Sequence, residues 1–368
     1  MFAVLAAAAL ASQFHIKVAT LPLRPFIETR GETQIVNFDL LLHNDGQKPL
    51  RLAAIHEQLF DKSGRLEAQR ELNGNGKPSA LAGLGDTVIN PGETRDIFQP
   101  FDRYDGGSDL SRIHLTLVFL KPETPVPPVA LTGDAIAQID VHPLATAHPA
   151  AYCLPLDGIL LVHDGHDLNS HHRRQNLAAR FDRDPKNAAN PNLYAYDFVH
   201  IDESGALYKG DPNRKENWFT FGAPVHAPVD GEVVVAVDGV PDNSFADTQP
   251  VTPPLAQKLD PDGFGNHVAI RAADGRVSWL LHMEAGSITV KKGQRVKAGD
   301  LLGKIGFSGD ALFPHEHYTV TNAAVYPSQG VPSYFRDFRR RARSGSEAVT
   351  YGQIDTGDIV QNAANCMH

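Results

Sequence analysis

The stretch Pro314-His315-Glu316-His317-Tyr318 packs the most chemistry into the fewest residues of this 368-residue chain. Side chains on a β-strand alternate with period two, so an H-x-H pair sends both imidazoles to one face. One strand then presents a metal ligand and a second base side by side. Spacing alone leaves two ordinary histidines as the competing reading. His282 closes the apolar run Val277 to Leu281, whose alternation puts Ser278, Leu280 and His282 on one face and Trp279 and Leu281 on the other. Asp197 follows Tyr194-Ala195-Tyr196 and precedes Phe198-Val199. A carboxylate inside such a run is costly to bury without a metal or a basic group beside it. His171-His172-Arg173-Arg174 lies upstream and reads by itself as a solvated basic loop. Singly, His282 and Asp197 are equally well satisfied core residues. Together these groups meet the needs of a hydrolytic zinc site: three His, Asp or Glu ligands, one position for water, and spare imidazoles to move its proton.

The elements that must position these residues read as β. Asn266 to Met283 is a hairpin, with His267-Val268-Ala269-Ile270-Arg271 turning at Ala273-Asp274-Gly275 into Val277 to His282. Glu232 to Val237 is a strand, and short strands separated by glycine turns run from Val290 to Gly306. Asp238 to Pro261 looks like an insertion loop, and Tyr334 to Arg343 reads as a short basic helix. Its arginines (Arg336, Arg339, Arg340, Arg341 and Arg343) either form a solvated face or meet anionic polymer. From about Gln13 to Asp140, short strands alternate with turns such as His43-Asn44-Asp45-Gly46 and Pro91-Gly92-Glu93-Thr94. That pattern predicts a β-sandwich of immunoglobulin-like type. The Pro-rich stretch 121–128 is a linker or a loop near its end. The expected domains are a signal peptide at 1–11, a sandwich at 12–149, a second β domain at 150–345 and a tail at 346–368; the fold class is all-β.

Composition narrows the partners. Hydrophobic residues make up 42% and charged residues 21%, as in a globular protein. A formal charge of −9 argues against nucleic acid, whose phosphates need clustered Lys and Arg. The apolar run Phe2 to Ala11 is too short to span a bilayer, and Ala9-Leu10-Ala11 offers the small residues of a cleavage site. The expected address is therefore exported, periplasmic or secreted, with no transmembrane segment. Cys153 and Cys366 either pair in an oxidising compartment or stay as thiols.

Residues from about Val162 to Val320 resemble the catalytic domain of lysostaphin-type, LytM-like zinc endopeptidases, with their duplicated-hybrid-motif β fold. The resemblance rests on Phe221-Gly222-Ala223-Pro224-Val225-His226-Ala227-Pro228-Val229-Asp230-Gly231, Gly265-Asn266-His267 and Leu281-His282. It continues through Val290 to Asp300 and Gly303-Lys304-Ile305-Gly306-Phe307-Ser308-Gly309, and closes with Pro314-His315-Glu316-His317. It implies Zn2+ held by Asp197 and His317, with His282 and His315 orienting and deprotonating water. The usual first ligand stands in H-x-x-x-D, a pattern missing here. The resemblance points instead to His172, with His171 as the alternative; His163 and His166 are poorer candidates, and His200 and His226 are outer-shell or structural. The implied activity is peptide-bond hydrolysis in peptidoglycan cross-links, and the alternative is a non-catalytic LytM-like binding or activator module.

Overall fold

The computed structural model describes residues 14–101, 103–145, 150–185, 188–325, 328–343, 345–363 and 366. The expected signal peptide lies outside them. Among the described residues, strands dominate, and the two α-helices, Ala178–Arg183 and Pro254–Leu259, are six residues each. No helix among the described residues is long and apolar enough to cross a membrane.

The chain forms two compact units. One holds the described residues through Ala145 together with Asn176–Ala188; the other holds those from 150 to Gln175 and from Ala189 onward. In the first unit, the long strands Leu50–Asp61 and Leu110–Leu120 pair antiparallel, with Leu66–Asn73 on one side and Ala135–Val141 on the other. Three- and four-stranded sheets complete it. Period-two apolar residues, Leu50 and Leu52 on one strand and Ile113, Leu115, Leu117 and Phe119 on another, join Phe38, Leu40 and Leu42 in one core. The Pro-rich stretch is a loop inside this unit, because the strands on either side of it pair with each other. Asn176–Ala188 belongs here too. Leu177 N–H donates to Asp96 at 2.6 Å, and the Thr94 hydroxyl donates to Asp182.

The second unit is built on an 11-stranded sheet. At its centre run, in order, Leu160–Asp164, Tyr196–His200, Glu316–Thr321, Val277–Met283, Asn266–Ala272 and Gly231–Val237. The hairpin expected at Asn266 to Met283 supplies two of these strands. The stretch Asp238 to Pro261 carries the small hairpin Ser244–Ala246 with Gln249–Val251 and the helix Pro254–Leu259. Tyr334–Ala342 is a strand, not the helix its basic run suggested: it pairs with Gly345–Gly352 and with Ile359–Asn362. Ile359–Asn362 in turn pairs with Leu160–Asp164, so residues of the expected tail are part of the sheet. Long-range pairing overrides the helical bias of a short charged run. Cys153 and Cys366 are joined, with Cα atoms 5.7 Å apart and a sequence separation of 213. A loop that long puts the entropic stabilisation near the top of the usual range, at about 5 kcal/mol.

Candidate metal centre

Two adjacent strands set the frame of the site. Asp197 lies opposite His317 across the ladder, and His317 lies opposite Leu281 on its other side. Paired residues share a face, so Asp197, His317 and Leu281 point one way. Tyr196, Phe198 and Tyr318 point the other way, where their rings gather around Phe335 at 5.3, 5.9 and 5.9 Å. That aromatic layer anchors the backbone from which the polar residues project. Glu316 shares the hidden side and is fully buried. Burial pushes its carboxyl well above the usual carboxylate range, against the backbone N–H of Leu281.

Regular alternation does not explain His282. A residue following Leu281 belongs on the face opposite His317, with Ser278 and Leu280. Its ring nevertheless lies 5.0 Å from that of His315 and 5.8 Å from that of His317. The reason is backbone: His282 has φ of 64°, a left-handed conformation rare for a residue with a side chain. The kink turns the imidazole toward His315 and His317, and a bond from Nδ1–H to the Ser308 carbonyl at 2.9 Å fixes it there. The strand alternation read from sequence thus gives the wrong face for this residue.

His172 reaches the site from the loop after Leu160–Asp164. It is 1% exposed, and its Nε2 lies 3.3 Å from Asp197 Oδ1. That nitrogen is buried without a hydrogen-bond partner among the described residues. Its Nδ1 is engaged instead, 3.0 Å from the Gly165 carbonyl and 3.1 Å from Asp164 Oδ2. With Nδ1 taken up by Gly165 and Asp164, Nε2 is the ring nitrogen turned toward Asp197. His171 is exposed, bonds Asp164 through Nδ1 at 2.7 Å and comes no nearer to Asp197 than 3.9 Å. Asp164 was not singled out in the sequence; nothing local distinguishes a carboxylate that acts behind another side chain.

Asp197 Oδ1 is the hub. His317 Nδ1 is 3.1 Å from it, His172 Nε2 3.3 Å and His315 Nε2 3.4 Å. Donors around a tetrahedral zinc with bonds of about 2.0–2.1 Å stand about 3.3 Å apart, which the three separations from Asp197 Oδ1 match. The electrostatics agree. Burial opposes the charge on Asp197, yet the surrounding imidazoles, His315 and His172 foremost, hold its carboxyl well below the usual range. Burial likewise opposes a charge on His172, but Asp197 and Asp164 outweigh it and raise the group to about 10. His317 is lowered to about 4 by burial, against its bond to Asp197. His282 is pushed well below its ordinary value by burial and then by His315 and His317. A buried carboxylate ringed by imidazoles suits a divalent cation in their midst.

His163, His166, His200 and His226 make contacts of their own. His166 is wedged between the rings of Tyr194 and Tyr196 at 5.3 and 5.1 Å. His200 Nε2 is 2.7 Å from the Asp157 carbonyl, and His226 Nδ1 is 2.9 Å from that of Gly299. His163 packs edge-on against Phe313.

Residues 218–328 match Peptidase family M23, so the chain carries a domain of that family. The match takes in His282, His315 and His317 and begins after His172 and Asp197. Over 111 residues the chain is 30% identical to the cell division protein DipM of Caulobacter vibrioides, covering 30% of this chain and 14% of that protein. It thus spans about a seventh of the length of that relative. Among solved structures it is similar to the catalytic domain of lysostaphin from Staphylococcus simulans (24% identity, 34% of this chain, 86% of that one, TM-score 0.22). It is also similar to a peptidase M23 structure from Pseudomonas aeruginosa (14% identity, 75% and 86% coverage, TM-score 0.24).

Proposed function

We propose that this chain is an exported zinc-dependent endopeptidase that hydrolyses peptide bonds in peptidoglycan cross-links. The observation that carries the reading is the buried, unpartnered His172 Nε2 aimed at the Asp197 hub beside His317 Nδ1. On this reading His172, Asp197 and His317 hold Zn2+, and His172 rather than His171 is the first ligand. Bound zinc supplies a Lewis acid that polarises a peptide carbonyl and lowers the pKa of water.

The protein's own residues do the rest. His282 and His315 each place Nδ1 against a backbone carbonyl, those of Ser308 and Phe313, at 2.9 and 2.8 Å. With Nδ1–H donated, each Nε2 is left as an acceptor for a proton from attacking water. Burial keeps His282 neutral and so competent as that base. Once protonated, the same nitrogen donates to the developing oxyanion or to the leaving amine. The Cys153–Cys366 bond suits the oxidising compartment in which an exported enzyme works.

The test is zinc content by mass spectrometry, with dye release from labelled peptidoglycan sacculi. The wild type should hold about one zinc per chain and release dye. His172→Ala, Asp197→Ala and His317→Ala should lose both, while His171→Ala keeps its zinc. A wild type that stays apo in excess zinc would leave a non-catalytic binding module.

A further inference from the structure

The arginines of the strand Tyr334–Ala342 alternate like any strand residues. Phe338 and Arg340 turn one way; Arg339 and Arg341 turn the other, with Arg343 following just past the strand. The outward set lines a groove of about 450 Å³, whose other walls include Ile159, Ile359, Gln361 and Glu203. All three arginines are exposed. Arg341 faces Glu203 at 3.5 Å, and Arg339 bonds the Ser346 hydroxyl at 2.9 Å. Among the described residues neither Arg339 nor Arg343 has an ion-pair partner. Three guanidinium groups therefore share one groove with one carboxylate, in a chain whose formal charge is −9. Like charges crowded on one strand face repel unless an anion joins them.

The ladder fixes where this groove lies. Arg339 pairs with Gln361, Ile359 with Leu161, and Leu161 with Val199. Gln361 and Ile359 share a face, as do Val199 and Asp197, so the arginines stand on the same side of the sheet as Asp197. From Arg341 to Asp197 is three strand spacings across and two residues along, roughly 16 Å. An extended peptide covers that span in about five residues. Every strand that builds the groove lies outside the stretch 218–328 that matches the family.

We infer that the groove along Arg339, Arg341 and Arg343 is an anion-binding subsite that holds carboxylate groups of an extended acidic peptide substrate, about five residues from the bond being cut. Planar guanidinium forks match carboxylates two bonds at a time, which gives the subsite register as well as charge. The span to the cut bond rests on the peptidase reading; the capacity to bind carboxylates does not.

The experiment uses the full-length protein and a fluorescein-labelled hexaglutamate peptide, followed by fluorescence anisotropy at 50 and 300 mM NaCl. The wild type should bind, more weakly at high salt. The triple variant Arg339→Gln, Arg341→Gln, Arg343→Gln should bind at least tenfold more weakly, with an unchanged far-UV circular dichroism spectrum. Glu203→Gln removes the competing carboxylate and should bind severalfold more tightly, a gain that misfolding cannot imitate. In dye release from sacculi, the triple variant should need at least fivefold more substrate for half-saturation at unchanged kcat. Equal hexaglutamate binding by wild type and triple variant overturns the subsite. An unmoved half-saturation, with hexaglutamate binding lost, overturns its assignment to the substrate. If hexaglutamate binds as expected and no protein releases dye, the carboxylate site stands and the peptidase reading falls.

Discussion

Replacing Asp164 by Asn tests the metal-site argument at a residue that is not itself proposed as a ligand. Asp164 Oδ2 stands 3.1 Å from His172 Nδ1 and 2.7 Å from His171 Nδ1, and accepts the Ser170 hydroxyl at 2.7 Å. Burial opposes its charge, but His171, His172 and Ser170 together keep the carboxyl below the usual range. Behind a metal-bound imidazole, such a carboxylate fixes the tautomer and raises the basicity of the ligand nitrogen; losing it typically costs 10–100-fold in metal affinity. His172 keeps a second acceptor here, the Gly165 carbonyl at 3.0 Å, so its tautomer survives the substitution. The loss should therefore fall at the low end, about tenfold or roughly 1.4 kcal/mol. Competition against a fluorescent zinc chelator at neutral pH measures it, with His171→Ala as a control that stays within about threefold. Two results would refute the reasoning. Asp164→Asn binding zinc as well as wild type would mean His172 is not the ligand it supports. A loss as complete as that of Asp197→Asn would make Asp164 a ligand itself.

Two further outcomes follow from positions away from the proposed ligands. Burial raises Asp96 to about 6, against the lowering bond from Leu177 N–H. The folded state thus holds this proton more tightly than the unfolded chain, so the stabilisation is complete below about pH 4 and gone above about pH 6. Asp96→Asn keeps an acceptor for Leu177 and abolishes the titration; its stability advantage over wild type should grow through that window to roughly 2–3 kcal/mol, and a pH-independent difference in urea melts would sink the idea. Gly265 has φ of 65°, and a Cβ there would collide with Ser308, whose carbonyl holds His282. Gly265→Ala should lower stability by about 3 kcal/mol and impair dye release, so an unchanged melting temperature would contradict the packing described.

What the sequence determined by itself is local. Strand alternation put His315 and His317 on one face, the turn at Ala273-Asp274-Gly275 marked the hairpin, and the glycine-and-histidine order pointed to the family of residues 218–328. Each depends on neighbours a few residues apart, where backbone periodicity and turn chemistry act directly. The tertiary structure decided the rest. It carries 176–188 into the other unit, which is why the stretch between His172 and Asp197 is so long, and it buries His172 while leaving His171 in solvent. It makes a strand of the arginine run and joins Cys153 to Cys366. It also turns His282 across the sheet by one left-handed residue. These outcomes depend on contacts tens to hundreds of residues apart, and the energy of such contacts, unlike a strand's period, leaves no mark on the residues next door.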